Sequence, residues 1–265
     1  MDNNKLFSLE NKNILLTGAT GHLGTNIAWA LAQSGANVLI NSKTKKKCIE
    51  LVEKIKKKNL KAELAYFDIA NNKKILNYVN SISNLAIDCL VNNAYAGKSG
   101  TIKSSNSNNY LESYNVGLIG VHNLTSKLLK NLRLAVKNSG DASVINIASM
   151  YGLVAPDLRI YDNPKKSNSP FYGATKAALI QWTRYAASEF GKEKIRFNSI
   201  SPGAFPSSLS QKKSPNLIKK LNYKIPLGRI GEPIEVVGSV ILLASKAGSY
   251  INGSNICIDG GYTSL

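Results

Sequence analysis

The stretch Asn13-Ile14-Leu15-Leu16-Thr17-Gly18-Ala19-Thr20-Gly21-His22-Leu23-Gly24 decides the fold. Its first five residues form a short apolar run that reads as a buried strand, and helical periodicity takes over at 26–33. A glycine-rich turn joins the two. Glycines there permit a tight turn, close backbone approach to a pyrophosphate, and tight packing of helix on strand. The helix N-terminus then turns free N–H groups and a positive dipole end toward the phosphates. In this strand–turn–helix context, Thr17, Gly18, Thr20, Gly21, His22, Leu23 and Gly24 are candidate cofactor contacts.

The same rhythm continues along the chain. Apolar runs at 13–17, 37–41, 62–67, 87–91, 143–148, 195–200 and 255–258 read as strands. Stretches at 26–33, 45–57, 110–136, 171–190 and 234–243 carry helical periodicity. Strand and helix alternating in this way predict an α/β fold of the Rossmann-like, doubly wound kind. Its parallel sheet would have about seven strands, with helices on both faces. No repeat or linker divides the chain, so 1–265 is expected to form a single domain. Two stretches break the rhythm. Residues 152–169 are rich in turn formers, and an irregular run at 204–215 opens a region, 204–222, suited to a substrate lid. Both follow predicted strands, on the carboxyl edge of the sheet where ligands bind.

Composition narrows the function classes. The formal charge is +18, but the lysines are scattered and arginine is sparse, so no sequence-specific nucleic-acid face is read; anionic small ligands are favoured. No apolar run approaches a bilayer span and the residues from Met1 to Lys12 are polar, so no membrane association is expected. Cys48, Cys89 and Cys257 are widely spaced and odd in number, which reads as reduced thiols in a cytoplasmic protein. No His, Cys or carboxylate cluster has metal-ligand spacing. His22 reads as a helix-start residue and His122 as a helix-packing one.

Two further features carry chemistry. Tyr172 and Lys176 are four apart on a predicted helix and share a face. A neighbouring ammonium lowers a phenol's pKa and makes proton exchange with an alcohol or carbonyl feasible. At the end of the second strand, Ser42, Lys43 and Lys45 stand where an acid would bind ribose hydroxyls and repel a 2′-phosphate. That substitution favours NADP(H) over NAD(H).

Together these motifs resemble the short-chain dehydrogenase/reductase family, in its single-domain branch, from Asn13 to Gly261. Asp68 and Ile69 match its adenine contacts, and Val91-Asn92-Asn93-Ala94 its motif after the fourth strand, with Asn92 and Ala94 along the cofactor. Asn115, Ser149, Tyr172 and Lys176 match its catalytic tetrad. Pro202 and Gly203 match the segment beside the nicotinamide, and Ile258-Asp259-Gly260-Gly261 is similar to its C-terminal signature. There are departures: His22 replaces a glycine, Tyr95 replaces the glycine after Asn-Asn-Ala, and Ser207 stands for a threonine that contacts the carboxamide. Ser149 and Tyr172 are also more widely separated than is usual, the extra residues falling in 152–169.

The resemblance implies hydride transfer between the nicotinamide and a carbonyl or alcohol substrate. Tyr172 would exchange the proton, Lys176 would lower its pKa and hold the nicotinamide ribose, Ser149 would hold the substrate oxygen, and Asn115 would anchor a relay water. The stretch from Met150 to Asp162, together with Tyr95, is similar to members from bacterial surface-sugar and flagellin-modification pathways. This implies a sugar-like substrate met by Tyr95, Tyr151 and Arg159, with Lys165 and Lys166 nearby. Three alternatives stand beside it: a 3-oxoacyl-thioester reductase, a non-catalytic NADP(H)-binding regulator, and a loop at 152–169 that serves only as a solvated or dimer-contact element. The helices at 110–136 and 171–190 are similar to those that assemble the family's homodimers and homotetramers.

Overall fold

The computed structural model describes residues 3–264; Met1, Asp2 and Leu265, at the ends of the expected domain, lie outside the described residues. A short helix, α1 (Asn3–Phe7), precedes β1 (Asn13–Leu16), α2 (His22–Gln33), β2 (Asn37–Ile40), α3 (Lys45–Lys56), β3 (Ala62–Leu64), α4 (Asn72–Ser81) and β4 (Cys89–Asn92). Then follow α5 (Ser107–Tyr114), α6 (Gly120–Ser139), β5 (Ala142–Ile147), α7 (Pro170–Phe190), β6 (Ile195–Pro202), α8 (Ser208–Lys213), α9 (Pro215–Lys224), α10 (Val237–Ala244) and β7 (Asn255–Ile258).

All seven strands are parallel, in the order β3-β2-β1-β4-β5-β6-β7. Alternation along each strand divides the apolar residues between two cores. Ile14 and Leu16, Val38 and Ile40, and Cys89 and Val91 face α2, α3 and α10. Leu15, Leu39, Leu90 and Val144 face α4, α6 and α7. Strands buried on both faces explain the unbroken apolar runs in the sequence. The winding direction reverses between β1 and β4, which opens a crevice beyond their carboxyl ends.

The single helix expected at 110–136 is interrupted. Between α5 and α6 lies one wide turn, Asn115–Ile119, closed by a bond from the Gly120 N–H to the Asn115 carbonyl. Two glycines explain the interruption. A Cβ at Gly117 would come within 2.6 Å of the Thr175 methyl, and one at Gly120 within 2.6 Å of the Ile69 carbonyl oxygen. The extra residue in the turn lets both positions press against different neighbours.

The run at 204–215 also differs from expectation, because α8 and α9 occupy most of it. Ser207 caps α8 by accepting from the Ser210 N–H, and Pro215 opens α9. A third, small cluster, Ile160, Leu221 and Ile225, packs the 152–169 loop against α9. Among the described residues no helix is long and apolar enough to cross a membrane.

Candidate active site

The crevice is a cleft of about 710 Å³ whose walls come from the ends of six strands. At its floor Gly18 sits at φ 63°, with no room for a Cβ beside the Ala94 backbone 2.8 Å away. Gly24, in the first turn of α2, lies so close that a Cβ would meet the Gly18 carbonyl oxygen at 2.2 Å. Backbone is therefore the lining material, as a phosphate cradle requires. Thr20, Gly21, His22 and Leu23 complete this edge. Across from it lie Ser42 and Lys43, then Asp68 and Ile69, Ala94, and Pro202 with Gly203.

Three expected contacts stand elsewhere. Thr17 is fully buried; its hydroxyl accepts from the Asn93 and Ala94 N–H groups at 3.0 and 3.1 Å, tying the glycine turn to β4. The Asn92 amide donates to Asn146 at 2.8 Å, and Asn146 donates onward to Thr183, a buried polar chain joining β4, β5 and α7. Ser207 is spent on its cap.

Asn93, named in the motif after β4 but given no role of its own there, donates its amide to the Thr17 and Gly18 carbonyls at 3.1 and 3.0 Å and holds the turn in shape. Asn41, a residue for which the sequence predicts no role, donates to the Ala65 and Phe67 carbonyls and fixes the neighbouring wall. Both lie in strand-end positions where asparagine is a usable signal. Lys47, rather than Lys45, joins Lys43 at the rim, because the first turn of α3 rotates it inward.

Tyr172 and Lys176 project from α7 into this cleft, and Asn115 reaches it from the wide turn. Ser113 and Thr175, with hydroxyls 2.7 Å apart, join α5 to α7. Tyr95 stacks edge-on to Tyr172 at 4.8 Å and contacts the Ser113 hydroxyl at 3.1 Å; burial pushes its phenol up to about 12. Lys176 is 3% exposed and donates to the Ile147 carbonyl at 2.6 Å, and burial lowers its pKa to about 8. Its remaining N–H donors have no partner among the described residues.

The expected lowering of the Tyr172 pKa by Lys176 is absent from this state. The ammonium is 5.8 Å from the ring centre. Burial raises the phenol, and a hydrogen bond with Ser149 offsets part of the rise. Desolvation outweighs an ammonium that points toward a carbonyl.

Tyr172 also lines a second cavity, of about 470 Å³, together with Ser149, Tyr95 and Tyr151. The phenol thus stands at the partition between two chambers. Arg159 lines neither one. Its side chain is 88% exposed and clasps Asp157 at 2.9 Å, and Lys224 on α9 binds the same carboxylate. Lys166, by contrast, reaches the second cavity.

A parallel sheet with a glycine cradle at its switch point, beside a half-buried tyrosine and a buried lysine, defines a nucleotide-dependent oxidoreductase site. Comparison with known proteins agrees: residues 18–263 match the family model described as enoyl-(acyl carrier protein) reductase. The 3-oxoacyl-[acyl-carrier-protein] reductase of Staphylococcus epidermidis is 30% identical over 254 residues, covering 95% of this chain and 98% of that protein. A gluconate 5-dehydrogenase from Burkholderia cenocepacia, solved with NADP and tartrate, superposes with a TM-score of 0.88 at 26% identity over 99% of both chains. The RhlG/NADP complex of Pseudomonas aeruginosa gives 0.88 at 29% identity, over 98% of this chain and 99% of that one. The chain belongs to the short-chain dehydrogenase/reductase family, oxidoreductases acting on CH–OH and C=O groups.

Proposed function

We propose that this protein interconverts a carbonyl and an alcohol on a small, polar, sugar-like substrate with NADP(H), as a step in building a surface glycan. The observation that carries this reading is Tyr172, half-buried between the glycine-floored cleft and a second cavity lined by Ser149. The residues fit the cofactor. Gly18 and Gly24 leave backbone where phosphates would lie, and Lys176 has donors to spare for hydroxyls. Lys43 and Lys47 stand at the rim, and the segment after β2, residues 41–47, has no carboxylate, which supports NADP(H) over NAD(H).

A bound nicotinamide supplies or accepts the hydride. In reduction, Ser149 holds the substrate oxygen and Tyr172 gives it the phenolic proton as negative charge develops there. The raised Tyr172 pKa keeps that proton in place near neutrality. Lys176 orients the nucleotide and brings positive charge to the site, while Asn115, exposed at the wide turn, connects it to solvent. Residues 152–169 and 204–222 form the roof of the substrate cavity, and Tyr95 and Tyr151 its walls.

Reduction of a 3-oxoacyl thioester is the second reading. An apolar groove of about 1080 Å³, with Ile102, Leu153 and Val154, shares Tyr151 and Ser169 with the cavity and would suit an acyl chain. NADPH oxidation with keto-sugars and 3-oxoacyl thioesters separates the two; cofactor binding without turnover of either class would indicate a regulator. Exposed Leu111, Ile119 and Tyr185 on α5, the wide turn and α7 support a homodimer or homotetramer, which light scattering tests. Cys48, Cys89 and Cys257 are unpaired, as a cytoplasmic protein's would be.

A further inference from the structure

We infer that the second cavity contains an anion subsite, so that the substrate carries a carboxylate or phosphate at the end remote from the reacting carbon. The inference rests on the reading of this cavity as the substrate chamber. Two segments build the subsite: the loop after β4, which carries Lys98, and the turn Pro164–Lys166, which carries Lys166. A double clasp fastens them together. The Gly100 N–H donates to the Ser167 carbonyl at 3.1 Å, and the Ser167 hydroxyl returns a bond of 3.1 Å to the Gly100 carbonyl. Ser167 is fully buried, so the clasp holds both lysines to one rim.

The charge there is one-sided. Both lysines line the cavity, no Asp or Glu does, and neither lysine has a carboxylate partner among the described residues. Arg159, Lys220 and Lys224, by contrast, each pair with a carboxylate, Asp157 or Asp162. A second observation points to a ligand. Ser169, 3% exposed, lines this cavity and its hydroxyl has no hydrogen-bond partner among the described residues. A buried hydroxyl left unpaired costs free energy, and a ligand oxygen would remove that cost. Two ammonium groups and a hydroxyl suit an oxyanion, and a neutral polyol would use only the last.

The test compares three hexitol probes that differ at one end: sorbitol, D-gluconate and sorbitol 6-phosphate. Each is titrated calorimetrically into the full-length protein saturated with NADP+. At least one anionic probe should bind about tenfold or more tighter than sorbitol, a gap of ~1.4 kcal/mol, and the gluconate and phosphate arms tell the two anion sources apart. The double variant Lys98→Gln/Lys166→Gln should lose that advantage while keeping its melting temperature, both side chains being exposed. Tyr172→Phe should keep the advantage, which separates failure of this subsite from failure of the catalytic reading. Equal binding of all three probes, no binding of any, or an unchanged preference in the double variant would overturn the inference.

Discussion

Replacing Gly24 by alanine tests the cradle directly. The new Cβ would lie 2.2 Å from the Gly18 carbonyl oxygen and 2.9 Å from the Asn93 amide nitrogen. Carbon–oxygen contacts settle at about 3.3–3.6 Å, so roughly 1 Å of overlap must be relieved. The Gly18 carbonyl cannot simply retreat. Its residue is held at φ 63° against Ala94, and Asn93 bonds its oxygen at 3.0 Å. Overpacking of this kind costs about 1–3 kcal/mol, against about 0.5–1 kcal/mol gained by placing alanine in a helix. The net loss of about 1–2 kcal/mol should lower the melting temperature by about 2–8 °C. Because the displaced carbonyl belongs to the cleft floor, cofactor affinity should weaken as well.

Gly238→Ala provides the control. It makes the same change in α10 at a position with nothing within 4 Å, and should melt at or above the parent temperature. Thermal melts and fluorescence titration with NADPH read both effects. A Gly24→Ala protein that melts and binds like the parent would refute the reasoning.

Other outcomes follow from the site. Tyr172→Phe should lower turnover by several orders of magnitude while NADPH still binds, and near-parental rates would sink its role as proton donor. Lys176 gives a pH signature. Burial lowers its pKa to about 8 from 10.5, so the unfolded chain keeps the proton to higher pH. The penalty is complete below pH 8 and fades as pH rises from 8 to 10.5. Lys176→Met should therefore raise the melting temperature of the nucleotide-free protein at pH 7, with a gain that shrinks above pH 8; a pH-independent difference would contradict this. Ile160→Ala should cost about 2–5 kcal/mol locally, because Ile160 is 3% exposed in the cluster that joins the loop to α9. Its signature is a raised KM and faster proteolysis within 204–222; unchanged values of both would separate the loop from the lid. Charge reversal at Lys43 and Lys47 should shift kcat/KM from NADPH toward NADH, and no shift would leave those lysines as solvated residues.

The sequence alone determined the architecture. Buried parallel strands must be apolar throughout and must alternate with crossover helices, so Ile14 to Leu16 and the runs that follow could be located without a structure. The glycine turn was legible for a similar local reason: its backbone geometry is written into residue type. So was the Tyr172–Lys176 pair, because helix periodicity fixes their common face.

What only the tertiary structure decided depends on groups far apart in the chain. Thr17 and Asn92 have polar side chains in the expected neighbourhood, yet each is taken up by a partner that sequence does not reveal. Lys176 stands beside Tyr172 in sequence terms, but burial lowers its pKa and its ammonium is turned toward the Ile147 carbonyl. Lys98 and Lys166 come together through the Gly100–Ser167 clasp. Side-chain direction and desolvation arise from packing between elements, and neither has a period along the chain.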